Sequence, residues 1–313
     1  MFMKFAGKSA LAAAASVLVL SIASANAAEP ESCGTVRFSD VGWTDITATT
    51  AATSVVLEAL GYETKTELLS VPVTYTSLKN KDIDVFLGNW MPSMAADVQP
   101  FLDDKSVESI TENLTGAGYG IVVSQDAFDA GVKSLSDLEA NADKFDGKIY
   151  GIEPGNDGNR IILDWIKDGS LANFELVESS EAGMISQAQK VMKNGEWVAF
   201  LGWTPHPIMG AMDIAYLDGM GDSGFGAATV HTNVRQGYLE ECPNVGQFLK
   251  NLKFTLDMEN VIMGKILDDG EDAKVAATEW LKAHPDAYAS WLEGVTTKDG
   301  GNAAEAVKSA LGS

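Results

Sequence analysis

Four aromatic side chains stand beside short apolar segments of the kind that form buried strands. They are Trp43, Trp90, Tyr119 and Trp203. The face of an aromatic ring attracts a cation, and each ring contributes roughly 0.5–2 kcal/mol to holding it. A quaternary ammonium group suits such rings best, because it has no N–H to donate to a carboxylate. Three or four rings in one cleft supply the roughly 8 kcal/mol that micromolar binding of such a cation requires.

Two polar side chains lie close to these rings or to a predicted strand end. Asp45 follows Trp43 by two residues, and Asn156 lies in the Gly-Asn-Asp-Gly segment at 155–158. In a cleft, Asp45 would attract a cation and accept a hydrogen bond from a ligand hydroxyl, and Asn156 would bond a ligand oxygen. Each also suits the N-cap of the helix that follows, so both roles stay open. His206, which stands between two prolines, fits a stiff turn slightly better than a ligand contact.

The usual motifs of catalysis and cofactor binding do not fit this sequence. The Gly-x-Ser-x-Gly segment of hydrolases does not occur. The glycines at 116, 118 and 120 lack the spacing of a dinucleotide fingerprint, and no Gly-Lys-Ser/Thr follows the glycines at 155 and 158. The three histidines (His206, His231 and His284) and the two cysteines lack zinc-ligand spacing. We therefore expect no enzymatic activity, no cofactor and no metal.

Short apolar runs alternate with helical patterns along the chain, which predicts an α/β fold with mainly parallel strands. Strands are predicted at 36–38, 63–71, 84–87, 119–123, 148–152, 174–177 and 197–201, with helices alone after 245. Ligands of such sheets bind beyond the carboxyl ends of the strands. Trp43, Trp90 and Trp203 each follow a predicted strand, and Tyr119 begins one. The four rings are therefore expected at strand ends, facing one another across a cleft.

One internal regularity indicates two similar lobes. The segment 79–90 resembles the segment 193–203, and both contain an acidic turn, an apolar strand, a glycine and a tryptophan. Phe86 and Phe200 are 114 positions apart, as are Phe38 and Ile152 in earlier strands. A repeated α/β unit explains this spacing, and coincidence between short apolar strands is the alternative.

The first 27 residues have the pattern of a secretory signal peptide. Lys4 and Lys8 precede a stretch of apolar and small residues at 10–23, and Ala-Asn-Ala at 25–27 fits the cleavage rule. Cleavage after Ala27 leaves 20 basic against 44 acidic side chains, so the formal charge changes from −22 to −24. Such acidity argues against binding nucleic acid or an anionic lipid surface.

Export also bears on the cysteines. Cys33 and Cys242 are the only two in the chain. Exported proteins with an even number of cysteines usually pair them, so a disulfide between distant segments is expected. Two free structural thiols are the alternative.

Five segments resemble a known family, the periplasmic substrate-binding proteins of quaternary-amine ABC importers, which serve glycine betaine, proline betaine and choline. The resemblance extends over the mature chain and is closest to the choline-specific members. The segments are Gly-Trp-Thr-Asp at 42–45, Asp-Val-Phe-Leu-Gly-Asn-Trp-Met-Pro at 84–92, Gly-Ala-Gly-Tyr-Gly at 116–120, Gly-Ile-Glu-Pro-Gly at 151–155 and Gly-Trp-Thr-Pro-His at 202–206.

The resemblance implies a two-lobed type II binding-protein fold with a ligand cleft between the lobes and a hinge crossed twice. Residues 28–117 with 222–313 would form lobe 1, and residues 118–221 would form lobe 2. The protein would be a periplasmic monomer that delivers choline to a cognate ABC permease and ATPase. Acetylcholine would bind more weakly, because its ester removes the hydroxyl.

The resemblance also implies roles for single residues. Trp43, Trp90, Tyr119 and Trp203 match the family's cation box, and Asp45 and Asn156 match the groups that hold the choline hydroxyl. An acid beside Trp43 repels a carboxylate, which favours choline over glycine betaine and proline betaine. Pro207 stands where many relatives have tryptophan, which leaves a carboxylate-binding role of His206 open. An exported choline-ester hydrolase is the alternative from another class.

Overall fold

A computed structural model describes residues 1–2 and 29–312. The expected signal peptide therefore lies almost wholly outside the described residues. The strands and helices, in chain order, are β1 (Thr35–Asp40), α1 (Thr44–Ala59), β2 (Glu63–Leu68), α2 (Val71–Asn80), β3 (Val85–Met91), α3 (Ala95–Asp103), β4 (Val107–Ser124), α4 (Gln125–Asp129), α5 (Leu135–Ala140), β5 (Lys148–Tyr150), α6 (Asp157–Asp168), β6 (Glu175–Val177), α7 (Glu181–Lys193), β7 (Ala199–Thr204), α8 (Ile208–Ala211), β8 (Ile214–Tyr216), β9 (Gly226–Arg235), α9 (Tyr238–Glu241), α10 (Pro243–Asn251), α11 (Leu256–Leu267), α12 (Ala273–Ala283), α13 (Pro285–Ala289) and α14 (Ala303–Leu311).

The described strands form one mixed sheet in the order β2-β1-β3-β9-β4-β7-β5-β6, with β8 paired to β4. Strand pairs are parallel within β2-β1-β3 and within β7-β5-β6. The central pairs of β9 with β3 and of β4 with β9, β7 and β8 are antiparallel. The α/β class is confirmed, but the expectation of mainly parallel strands is wrong at the centre of the sheet.

The two ends of the sheet repeat one topology. The first half runs β1-α1-β2-α2-β3 with order β2-β1-β3, and the second half runs β5-α6-β6-α7-β7 with order β6-β5-β7. Gly88 in β3 and Gly202 in β7 occupy matched positions. A Cβ at Gly88 would lie 2.8 Å from the side chain of Ile46, and one at Gly202 would lie 2.7 Å from that of Val122. The 114-residue regularity therefore reflects matched architecture and matched close packing.

Two strands join the halves. The 18-residue β4 pairs with β9 over residues 107–119 and with β7 over residues 118–123. The sequence predicts only the second part of β4 and misses β8 and β9. The first part of β4 is difficult to predict because it is polar and irregular, with register shifts against β9 and a positive φ of 75° at Gly116. The expected lobe boundaries fall within β4 and shortly before β9.

Helix α1 lies between the sheet and helices α11 and α12. Twelve of its 16 residues are buried, so it has little of the two-sided pattern of a surface helix. Cys33 and Cys242 form a disulfide across a sequence separation of 209 residues, which confirms the expected pairing. Within the described part of the chain, no helix has the length and apolar character needed to cross a membrane.

Candidate functional site

A buried cavity lies between the two halves of the sheet and contains the predicted aromatic cluster. Its lining consists of Trp43, Asp45, Trp90, Tyr119, Ile152, Asp157 and Trp203. Each of the four aromatic residues is at most 6 % exposed. The cleft is therefore shut, and residues distant in sequence form one enclosed site.

The strands and one turn position the rings. Trp43 lies in the turn between β1 and α1, while Trp90 and Trp203 are the penultimate residues of β3 and β7. Tyr119 lies in the interior of β4, directly opposite Trp203 in the antiparallel ladder. Its ring centroid is 5.9 Å from that of Trp90 and 6.4 Å from that of Trp203. The expectation that all four rings lie at strand ends is therefore wrong for Tyr119.

Asp45 lies in the first turn of α1 and is 1 % exposed. Its Oδ2 accepts a hydrogen bond from Nε1 of Trp90 at 3.1 Å, and its Oδ1 has no partner among the described residues. Burial, followed by the nearby charge of Glu181, raises the pKa of Asp45 to about 8. The N-cap of α1 is Trp43, so the capping alternative for Asp45 is wrong. Asp45 is instead one of the residues that line the cavity.

Asn156 is the N-cap of α6, which was the other role that its sequence position allowed. Its Oδ1 accepts from the backbone N–H of Asn159 at 3.0 Å and from the hydroxyl of Tyr119 at 3.2 Å. Asn156 itself is not among the residues that line the cavity. It is instead placed to fix the Tyr119 ring. Gly158 allows this approach, because a Cβ there would lie 2.1 Å from the Tyr119 hydroxyl.

Asp157 lines the cavity, and the sequence analysis did not single it out. Its Oδ1 accepts from the amide of Asn156 at 3.0 Å, and its Oδ2 lacks a hydrogen-bond partner in the described chain. Burial raises the pKa of Asp157 to about 6. The signal was present in the Gly-Asn-Asp-Gly turn, where Asn156 and Asp157 are adjacent. Only the direction of the chain at the start of α6 decides which of them faces the cavity.

His206 follows β7 and lies behind the cavity wall. Its ring packs edge-on against Trp203, with centroids 4.9 Å apart. Its Nδ1 accepts from the backbone N–H of Ile208 at 3.2 Å, and its Nε2 lies 3.0 Å from Oε1 of Glu181. The structure therefore places His206 in a turn and outside the cavity lining, as the flanking prolines predict.

An enclosed aromatic cavity between two topologically matched α/β halves defines the class of bilobal ligand-binding proteins. The sequence model of a protein family, the substrate-binding domain of ABC-type glycine betaine transport systems, matches residues 34–283 of this chain. The chain belongs to this family.

Three relatives show the range of the similarity. An ABC-transporter choline-binding protein in complex with choline is 59 % identical, with 90 % of this chain and 100 % of that chain covered and a TM-score of 0.89. A choline-binding protein in an unliganded semi-closed conformation has the same identity and coverage and a TM-score of 0.82. The glycine betaine/carnitine transport binding protein GbuC of Listeria monocytogenes is 36 % identical over 154 residues, which cover 49 % of this chain and 51 % of GbuC.

Proposed function

We propose that this chain is the choline receptor of an ABC importer. The observation that carries the proposal is one buried cavity lined by three tryptophans and a tyrosine together with Asp45, whose Oδ1 has no hydrogen-bond partner among the described residues. The similarity to an ABC-transporter choline-binding protein in complex with choline supports the same ligand. The ring faces would hold the trimethylammonium group, and Asp45 would accept a hydrogen bond from the choline hydroxyl.

The polar lining favours an alcohol over a carboxylate as the second group of the ligand. Asp45 and Asp157 both line the cavity, and each has a buried carboxyl oxygen with no hydrogen-bond partner among the residues that the structure describes. A ligand carboxylate placed beside either of them would be repelled or would need a proton, whereas a hydroxyl donates a hydrogen bond. Choline is therefore preferred to glycine betaine and proline betaine. The runner-up is a receptor for these betaines, which the family description and the name of GbuC favour.

Binding would occur between lobes that close on the ligand. The lobes are residues 28–117 with 222–313 and residues 118–221, joined within β4 and through the segment that precedes β9. Trp43, Asp45 and Trp90 would come from the first lobe, and Tyr119, Asn156 and Trp203 from the second. Asn156 acts in this proposal by holding Tyr119 and Asp157 in place. The ligand stabilises the closed form because only that form brings rings from both lobes to the cation.

The setting of the protein follows from the same role. The chain would act in the periplasm as a monomer after cleavage behind Ala27, and would release choline to its ABC permease and ATPase. Acetylcholine would bind more weakly, because it lacks the hydroxyl from which Asp45 would accept a hydrogen bond.

Titration calorimetry with choline, acetylcholine, glycine betaine and carnitine tests the proposal. We expect the tightest binding for choline. Tighter binding of glycine betaine would instead support the runner-up, a receptor for betaines. Incubation with acetylcholine tests the alternative of a choline-ester hydrolase. Release of acetic acid at a rate that Asp45→Asn or Asp157→Asn abolishes would establish an esterase, and we expect none above the buffer rate.

A further inference from the structure

We propose that Glu181 is a positioning residue that holds the two halves of the aromatic cavity together when the cleft is shut. The proposal rests on the proposed function only for the choice of choline as the first probe. Glu181 lies at the start of α7 in the second half, is 3 % exposed, and does not line the cavity. Its carboxylate nevertheless joins the segments that carry the rings of both halves.

The first contact completes the N-terminus of α1. The N-cap of this helix is Trp43, whose indole has no acceptor for the free N–H groups of the first turn, and no side chain caps the helix from its own N-cap position. Oε2 of Glu181 accepts from the backbone N–H of Thr44 at 2.8 Å, and Oε1 accepts from its hydroxyl at 2.8 Å. A carboxylate at a helix N-terminus is also favoured by the helix dipole. Helix α1 is therefore capped from the opposite half.

The second contact joins Glu181 to the wall of its own half. Because Nδ1 of His206 accepts from a backbone N–H, its Nε2 carries the hydrogen that points to Oε1 of Glu181 at 3.0 Å. The His206 ring packs in turn against Trp203. The contacts therefore run from Trp203 through His206 and Glu181 to Thr44. Thr44 lies between Trp43 and Asp45, so this series of contacts ends on the opposite wall of the cavity.

Trp43 and Arg160 also donate hydrogen bonds between the halves, but these are weaker candidates for this role. Nε1 of Trp43 donates to Glu153 at 3.3 Å, which is a long hydrogen bond. Arg160 pairs with Asp97 at 2.7 Å, but its side chain is 37 % exposed, and exposed pairs add little stability. The Glu181 contacts are shorter than the first and far more buried than the second. Loss of a buried charge-assisted bond also costs more than loss of a neutral one.

These contacts can form only when the halves approach, because α1 and α7 belong to opposite ends of the sheet. The shut arrangement also resembles the choline complex more closely than the unliganded semi-closed structure, with TM-scores of 0.89 and 0.82. Opening the cleft would separate Glu181 from Thr44 before the ligand leaves. Weakening this contact should therefore speed ligand release and leave ligand entry nearly unchanged.

Two variants test the proposal, each with a matched control. Glu181→Gln removes the charge, and Thr44→Val removes the hydroxyl donor while keeping the size of the side chain. Thr44→Ser keeps both donors, and Glu196→Gln makes the same charge change at an exposed site. Stopped-flow tryptophan fluorescence measures choline association and dissociation, and thermal unfolding measures the ligand-free protein. The double variant Glu181→Gln/Thr44→Val shows whether the two residues act through one contact.

We expect the dissociation rate constant of choline to rise about tenfold in Glu181→Gln and several-fold in Thr44→Val. The association rate constant should stay within about twofold of wild type. The controls should release choline at the wild-type rate, and the double variant should release it little faster than Glu181→Gln does. The melting temperature of each ligand-free variant should stay within about 2 °C of wild type, since a merely structural role would lower it. Dissociation within about twofold of wild type in both single variants would overturn the proposal, as would additive effects in the double variant. If wild type binds glycine betaine and not choline, the proposed ligand fails, and the same variants are measured with glycine betaine.

Discussion

The indole N–H of Trp90 donates a hydrogen bond to Oδ2 of Asp45 over 3.1 Å, between two residues that both line the cavity. The bond connects an aromatic wall of the cavity to the acid, whose other carboxyl oxygen has no hydrogen-bond partner in the described part of the chain. In the proposed choline complex, this one interaction would orient a ring for the cation and leave an acceptor for the ligand hydroxyl. The indole N–H of Trp203, by contrast, has no hydrogen-bond partner in the described chain.

This difference gives a matched pair of variants. Trp90→Phe and Trp203→Phe each replace an indole by a smaller ring, but only Trp90→Phe removes a hydrogen bond to Asp45. We expect Trp90→Phe to weaken choline binding by about 1 kcal/mol more than Trp203→Phe does, as measured by calorimetry. Truncation to Ala at either position should cost more than about 1 kcal/mol, because a whole ring is lost. Equal losses in the two Phe variants would show that the bond does not matter, and near-wild-type affinity in both Ala variants would exclude the cation site.

Asp45→Asn separates the two candidate ligands. The substitution keeps the size of the side chain and removes a charge that attracts the ammonium group and accepts from a hydroxyl. We expect choline to lose about 1.5–3 kcal/mol of binding free energy, which is typical of a bond to a charged group. Glycine betaine should lose less or gain, because the acid also repels its carboxylate. Calorimetry of both ligands with both proteins measures the difference, and equal losses for the two ligands would rule out this role of Asp45.

The sequence predicted three of the four ring positions for a sound physical reason. Trp43, Trp90 and Trp203 stand at or near the ends of apolar strands, and parallel strand ends within a half share one edge of the sheet. Tyr119 lines the cavity as expected, but it does not begin a strand, because β4 already extends over the 12 residues before it. The polar composition of that part of β4 hides a strand whose partners come from distant segments.

Other features were beyond local patterns. The contact between Glu181 and Thr44 joins residues 137 positions apart, and it depends on the closure of the cleft. Asp157 and Asn156 are adjacent and chemically similar, so their different orientations follow only from the geometry of the first turn of α6. The sequence position of Asn156 allows two roles, and in the structure its side chain caps α6 and also accepts a hydrogen bond from the Tyr119 hydroxyl.

The disulfide connects Cys33, just before β1, to Cys242, between α9 and α10, and neither cysteine lines the cavity. Removing it in Cys33→Ser/Cys242→Ser frees a loop of 209 residues in the unfolded chain. We expect the free energy of unfolding to fall by about 2–4 kcal/mol. Choline affinity should remain within about twofold of wild type, because neither cysteine touches the site. Urea unfolding with and without choline measures both quantities. An unchanged unfolding midpoint would contradict the stabilising role.

The pH dependence of binding follows from the two acids in the cavity. Burial in the shut cavity raises the pKa of Asp45 to about 8 and that of Asp157 to about 6. Each acid is protonated and neutral below its raised pKa, so the empty shut form is stabilised at low pH and loses that stability as the pH rises through these values. A bound cation favours the charged carboxylates and therefore competes with these protons. We expect choline affinity to fall as the pH decreases from about 8.5 to about 5.5.

Calorimetry across that range measures the slope, and the acid variants identify its source. Asp45→Asn should remove the change near pH 8, and Asp157→Asn should remove the change near pH 6, because an amide does not titrate in this range. Asp164→Asn, an exposed site on the same helix as Asp157, is the matched control and should keep the wild-type profile. Tetramethylammonium should show the same dependence as choline, because the competition involves the cation and not the hydroxyl. A flat profile in wild type would mean that the cation displaces no proton from either acid, which would contradict this competition.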